Sequence, residues 1–97
     1  MARICVEAKP SGGLKRYELR LDRRQTDFVG ADGKGCLDLK NNSCGDGSRH
    51  RLRYTIDGPI GAKLAVKILC DNAEIGTYEL EIFPPGGEQR GFVRFVL

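Results

Sequence analysis

Apolar and charged residues alternate along several stretches of this chain, and this pattern limits the fold more than any other feature. In the segment 14–22, Tyr17, Leu19 and Leu21 alternate with charged side chains. Successive side chains of a β-strand point to opposite faces, so the pattern predicts a strand with one buried and one solvated face. The same alternation recurs at residues 3–9, 49–56, 64–70 and 78–82.

The chain as a whole is predicted to be all-β. No segment shows helical periodicity with capping residues, and the 13 glycines cluster between the apolar runs, where turns are expected. We expect about six to eight short strands, which is typical of an antiparallel two-sheet β-sandwich of the immunoglobulin-like or jelly-roll-like kind. The length of 97 residues fits a single domain spanning residues 1–97.

The clearest hairpin surrounds a polar turn at residues 71–73. Its two apolar runs face one core only if the loop has an odd number of residues, because a slip of one residue turns a strand over. A loop consisting of residues 71–73 pairs Lys63 with Glu81. It also pairs Leu69 with Ile75, and a longer loop of about five residues is the alternative.

Two segments are less regular. Residues 91–97 are apolar on both faces, which predicts a central strand or a strand covered by a loop. Residues 23–48 show no continuous pattern. Within them, residues 41–48 are nearly all turn-forming residues, so this stretch is predicted to be an exposed loop.

Four cysteines, at positions 5, 36, 44 and 70, permit three pairings. Cys36 and Cys44 flank the polar loop, so a disulfide between them is predicted to staple it. The alternatives are four reduced thiols, or a zinc site that recruits Cys36, Cys44 and His50 and lacks a fourth ligand. A Cys36–Cys44 bridge predicts an extracellular or periplasmic protein, and its absence a cytoplasmic one. No segment has the length of a membrane span.

The positive charge is carried mainly by arginine. The formal net charge is +3, and arginine supplies ten of the 16 cations. If the strands at 14–22 and 49–56 are neighbours, Arg16, Arg20, Arg51 and Arg53 line the outer face of their sheet. The predicted ligand-binding residues are therefore Arg16, Arg20, Arg49, His50, Arg51 and Arg53.

Guanidinium groups bind carboxylate, sulfate and phosphate groups. The expected partner is therefore a protein with an acidic surface, another polyanion or a carbohydrate, and no dedicated nucleic-acid motif is present. The acidic segment 71–88 of a second copy is an alternative partner, which would give a homo-oligomer.

No catalytic residue, cofactor or metal site is predicted. His50 is the one histidine, and its proximity in sequence to Ser43, Cys44 and Ser48 says nothing about the spatial geometry that defines a catalytic triad. We expect His50 to be a surface residue at the start of a strand. An irregular calcium site without EF-hand spacing is an alternative for the aspartates of the long loops, which are Asp32, Asp38 and Asp46.

Three functions follow from these patterns. The leading hypothesis is a non-catalytic binding module. The second is a structural or assembly subunit that oligomerises through the apolar residues Phe92 and Val96. The third is a small metal-dependent hydrolase that uses the segment 36–50.

Overall fold

The computed structural model describes residues 1–97 and contains seven β-strands and no helix. The strands are β1 (Ala2–Ser11), β2 (Arg16–Leu21), β3 (Lys34–Leu39), β4 (Arg49–Gly58), β5 (Lys63–Cys70), β6 (Ala73–Glu81) and β7 (Gly87–Val96). The number of strands lies within the predicted range, and each alternating segment falls largely within one strand.

The strands form two antiparallel sheets. Sheet A has four strands in the order β3-β1-β5-β6, and sheet B has three in the order β2-β4-β7. The prediction of a two-sheet β-sandwich is confirmed. The strand order differs from that of an immunoglobulin constant domain, in which the first, second, fifth and fourth strands share one sheet.

The hydrophobic core lies between the two sheets. Eighteen buried apolar residues form one cluster. Strand β5 illustrates the arrangement, because Leu64, Val66 and Ile68 are buried whereas Ala65 and Lys67 are exposed. The apolar residues of the alternating pattern therefore face the core, and the residues between them face solvent.

The turn between β5 and β6 is shorter than predicted. Lys63 pairs with Glu81, as expected. The loop, however, consists of only Asp71 and Asn72, whose φ angles of 48° and 71° are left-handed. Asparagine and aspartate tolerate this conformation better than other residues with a Cβ atom, and two such residues suit a tight hairpin turn.

A β-bulge on β6 compensates for the even loop. The register shifts beside Leu69, which pairs with Glu74 and not with Ile75 as predicted. The extra residue in β6 restores the facing that an odd loop would have given. The prediction of an odd loop was therefore wrong, although the faces derived from it were right.

Strand β7 is an edge strand of sheet B with an exposed outer face, and not the central or loop-covered strand that was predicted. Its inner side chains include Phe95, which is buried, whereas the outward Phe92 and Val96 are 45% and 55% exposed. Alternation identifies two faces, but it does not tell a covered apolar face from an exposed one.

Residues 23–48, which show no continuous alternation, contain strand β3 and the loop 41–48. Strand β3 lies at the edge of sheet A beside β1. A side chain at Gly35 would collide with the carbonyl oxygen of Phe28. Glycine at this position therefore allows the backbone of β3 to lie close to the backbone at Phe28. Residues 41–48 form a loop, as predicted.

The cysteines pair differently from the prediction. Cys5 is bonded to Cys36 and Cys44 to Cys70, so the predicted Cys36–Cys44 bridge is wrong. Cys5 and Cys36 are direct partners in the β1–β3 register, with Cα atoms 4.1 Å apart. Directly opposed residues of two strands point to the same face, so the register decides the pairing.

The second disulfide ties the 41–48 loop to the end of β5, where Cys70 is buried. With all four cysteines oxidised, the zinc site of Cys36, Cys44 and His50 is excluded. Two disulfides indicate an oxidising compartment, although not through the bridge on which that prediction depended.

Candidate functional site: an arginine face on sheet B

The outer face of sheet B carries a concentration of arginine. β2 and β4 are neighbours, which was the condition for their arginines to share a face. Residues at alternate positions of β2, β4 and β7 therefore point outward together. We call this surface the arginine face. Its arginines are Arg16, Arg20, Arg49, Arg51, Arg53, Arg90 and Arg94.

Five of the six predicted ligand-binding residues lie on this face, and His50 does not. Strand β7 adds Arg90 and Arg94, and the loop after β2 adds Arg23 and Arg24, which line one shallow depression with Arg49, Arg51 and Arg53. Arg90 and Arg94 were missed because the neighbour of β7 was not visible in the sequence, and Arg23 and Arg24 because they lie in a loop, where alternation does not predict a face.

Arginine and lysine are segregated in the fold. Nine of the ten arginines lie on strands of sheet B or in the loop after β2, whereas none of the six lysines lies on a strand of sheet B. Either residue supplies positive charge, but only arginine presents a planar fork that binds two oxygens of an anion. This segregation therefore favours an anion that is bound through two of its oxygens, and not only an anion that is attracted by positive charge.

Six of these arginines lack an acidic partner. We call them the arginine cluster: Arg23, Arg24, Arg49, Arg51, Arg53 and Arg94. None has a carboxylate within salt-bridge distance. The other three arginines of the face have acidic partners: Arg16 contacts Asp57 and Glu88, Arg20 contacts Glu18, and Arg90 contacts Glu88.

The acidic side chains are already engaged within the molecule. Of the 13, all except Asp38 accept a hydrogen bond or lie in a salt bridge. On sheet A, Lys63 contacts Glu79 and Glu81, and its hydrogen bond with Glu79, together with both negative charges, raises the pKa of Lys63. The acidic strand β6 is therefore balanced locally and not by the arginine face.

Like charges face each other across the strands of the arginine face. Arg20 is the register partner of Arg53, and Arg51 that of Arg94. Opposed like charges destabilise a sheet. The Nε atoms of Arg20 and Arg53 are also buried without a hydrogen-bond partner, which adds to the cost. Local conflicts of this kind are expected at functional sites.

His50 points to the inner side of sheet B and is buried against Phe95, with ring centroids 5.6 Å apart. The prediction of a surface histidine was wrong, because its even-numbered position shares the facing of Leu52 and Ile56. Its Nδ1 lies 2.8 Å from Oδ2 of Asp22, and its Nε2 lies 2.8 Å from Oγ of Ser48.

The Asp22–His50–Ser48 chain has the connectivity of a catalytic triad but not its chemistry. The Ser48 hydroxyl donates to Oδ1 of Asp46 at 2.6 Å and accepts from the side-chain amide of Asn42 at 3.1 Å. A hydroxyl has a single proton, and the proton of Ser48 is therefore directed to Asp46 and not to His50. A nucleophilic serine instead gives its proton to the histidine and keeps a lone pair for attack. We interpret this chain as a structural lock.

Asp46 organises the loop that precedes β4. Its carboxylate accepts hydrogen bonds from the Ser48 side chain and from the backbone N–H groups of Ser43 and Ser48. These hydrogen bonds, led by that from the Ser48 hydroxyl, hold the pKa of Asp46 well below its usual range. Asp46 is thus occupied as a loop cap, and no cluster of three or more His, Cys, Asp or Glu side chains suited to a metal ion is found.

Comparison with protein families, curated proteins and solved structures found no match to this chain. No helix is long and apolar enough to cross a membrane. The inference of function therefore rests on the residues described above.

Proposed function

We propose that this protein is a non-catalytic binding module that captures a polyanion on its arginine face. The observation that carries the proposal is the arginine cluster, six guanidinium groups at one end of a sheet with no carboxylate partner. Clustered cations attract a polyanion by long-range electrostatics, and arginine adds directed hydrogen bonds to its oxygens.

The geometry of the surface favours an extended ligand. Arg49, Arg51 and Arg53 project from alternate positions of β4, so they are spaced about 6.5–7 Å apart. Arg94 and Arg20 extend this row sideways onto the neighbouring strands. A flat array of this kind suits a chain that lies across the strands better than a small molecule that needs a deep pocket.

The compartment proposed for this function is extracellular or periplasmic. The two disulfides support it, because disulfides persist mainly where the surroundings are oxidising. Polyanions met there include acidic polysaccharides and acidic protein surfaces.

The test compares two variants with the same loss of charge. R51Q/R53Q removes two members of the arginine cluster, and K9Q/K40Q removes two exposed lysines that have no acidic partner and lie away from sheet B. We expect R51Q/R53Q to elute from a heparin column at clearly lower salt than the wild type, with K9Q/K40Q close to the wild type. Equal shifts for both variants would mean that net charge alone causes retention and would remove the arginine face from the proposal.

A homo-oligomer is the second candidate. The exposed Phe92 and Val96 on edge strand β7 favour it. Docking of the arginine cluster onto the acidic strand β6 is less favourable, because Glu74, Glu79 and Glu81 already contact lysines. Light scattering at micromolar concentration decides the matter, since a monomer would exclude the assembly function.

A further inference from the structure

Arg51 and Arg94 share one aromatic contact. They are register partners on β4 and β7. The Cζ atom of Arg51 lies 4.8 Å from the ring centroid of Phe92, and that of Arg94 lies 5.4 Å from it. An aromatic face attracts a cation through its quadrupole. Phe92 therefore contacts both exposed guanidinium groups of this opposed pair although their charges repel.

We propose that Arg51 and Arg94 form a subsite for one sulfate group of a linear sulfated polysaccharide, and that Phe92 is the residue that positions them. This inference rests on the proposed function and specifies the anionic group. Each guanidinium fork binds two oxygens. Two adjacent forks are satisfied better by the three terminal oxygens of a sulfate ester than by the two oxygens of a carboxylate.

Nucleic acids and phospholipids fit the subsite less well. A phosphodiester, like a carboxylate, has only two free oxygens. Single-stranded nucleic acid is bound chiefly by aromatic rings that stack on bases, whereas the ring of Phe92 is already in contact with two guanidinium groups. The oxidising compartment indicated by the disulfides also favours a polysaccharide over a nucleic acid.

Two variants test the subsite without changing the net charge. R51K keeps the charge and removes the fork, and F92L keeps an apolar side chain and removes the ring. The matched control is F83L, because Phe83 is also exposed, at 61%, and lies after β6 away from the cluster. Circular dichroism and thermal unfolding of each variant verify that it folds. If F92L fails to fold, R51K decides the outcome.

Binding of the full chain is measured by calorimetry to a heparin oligosaccharide and to an alginate oligosaccharide of equal total charge, which carries only carboxylates. We expect the wild type to prefer the sulfated ligand at equal ligand charge. R51K and F92L should lose about threefold to tenfold in affinity for it, with little change for alginate. F83L should bind as the wild type does.

The outcomes separate the two proposals. Equal affinity for both ligands, or wild-type binding by R51K, would overturn the sulfate subsite and leave the polyanion function intact. Absence of binding to any polyanion would overturn both. Tighter binding to duplex DNA or to phosphatidylglycerol vesicles than to heparin would also overturn the sulfate subsite, because it would assign the face to a phosphodiester ligand.

Discussion

The hydroxyl of Ser48 and the carboxylate of Asp46 show how single residues can imitate a functional site. Ser48 lies within hydrogen-bond distance of a histidine that also contacts an aspartate. The Ser48 hydroxyl, however, donates its hydrogen bond to Asp46. The Asp46 carboxylate also accepts hydrogen bonds from two backbone N–H groups and so caps the loop. The Asp22–His50–Ser48 chain therefore joins the end of β2 and the start of β4 to the loop 41–48, which precedes β4, and its contribution is to stability.

Acid should weaken this lock through Asp46. Hydrogen bonds lower the pKa of Asp46 in the folded protein below the usual value of 3.8. A carboxyl with a lowered folded-state pKa adds stability above its unfolded pKa, and this stability is lost as the pH falls. We expect the melting temperature of the wild type to drop more steeply than that of D46N between about pH 5 and pH 2. Thermal unfolding across this range measures it, and parallel curves would contradict the lock.

At the scale of strands, register decides which side chains meet. Cys5 and Cys36 are far apart in sequence but directly opposed in β1 and β3. Cys36 and Cys44 are close in sequence but are bonded to different partners. Closed loops spanning separations of 31 and 26 residues are expected to gain about 3–4 kcal/mol each from chain entropy. The two disulfides therefore supply a large part of the free energy of unfolding that a small domain needs.

Peptide mapping without reduction tests the pairing directly. Trypsin cleaves after Lys34 and Lys40, which places Cys36 and Cys44 in different peptides. We expect peptide 35–40 to be linked to 4–15, and peptide 41–49 to 68–90. A link between 35–40 and 41–49 would restore the original prediction, and free thiols in all four peptides would remove the argument for an oxidising compartment.

For the whole molecule, the distribution of charge that favours anion binding is expected to lower the stability of the unbound protein. The acidic residues are balanced locally, while opposed arginines such as Arg51 and Arg94 repel each other. An anionic ligand would relieve this repulsion and stabilise the folded state by mass action. The protein without ligand should therefore be less stable than its core alone would allow.

Salt should reveal this repulsion. Added salt screens exposed charges, so sodium chloride should raise the melting temperature of the wild type more than that of R51Q/R94Q. At low salt the variant gains from relief of the opposed pair, by about 0.2–1 kcal/mol, but it loses both cation–π contacts with Phe92, so the salt dependence and not the absolute stability isolates the repulsion. Denaturant unfolding of both, with K9Q/K40Q as the charge-matched control, measures the difference. An equal effect of salt on the wild type and on R51Q/R94Q would mean that the pair does not repel.

By itself, the sequence determined the fold class, the faces of most strands and the Lys63–Glu81 pairing, and it placed Arg16 with Arg20, and Arg51 with Arg53, on one face of each strand. Each of these depends on local alternation, which is written into neighbouring residues. The tertiary structure decided the disulfide pairing, the edge position of β7, the adjacency of β2 and β4, and the addition of Arg90 and Arg94 to the arginine face. These depend on which strands become neighbours, and strand order follows from contacts between residues far apart in the chain. The alternating pattern shows which way an arginine points, but only the packed sheets show which arginines it meets.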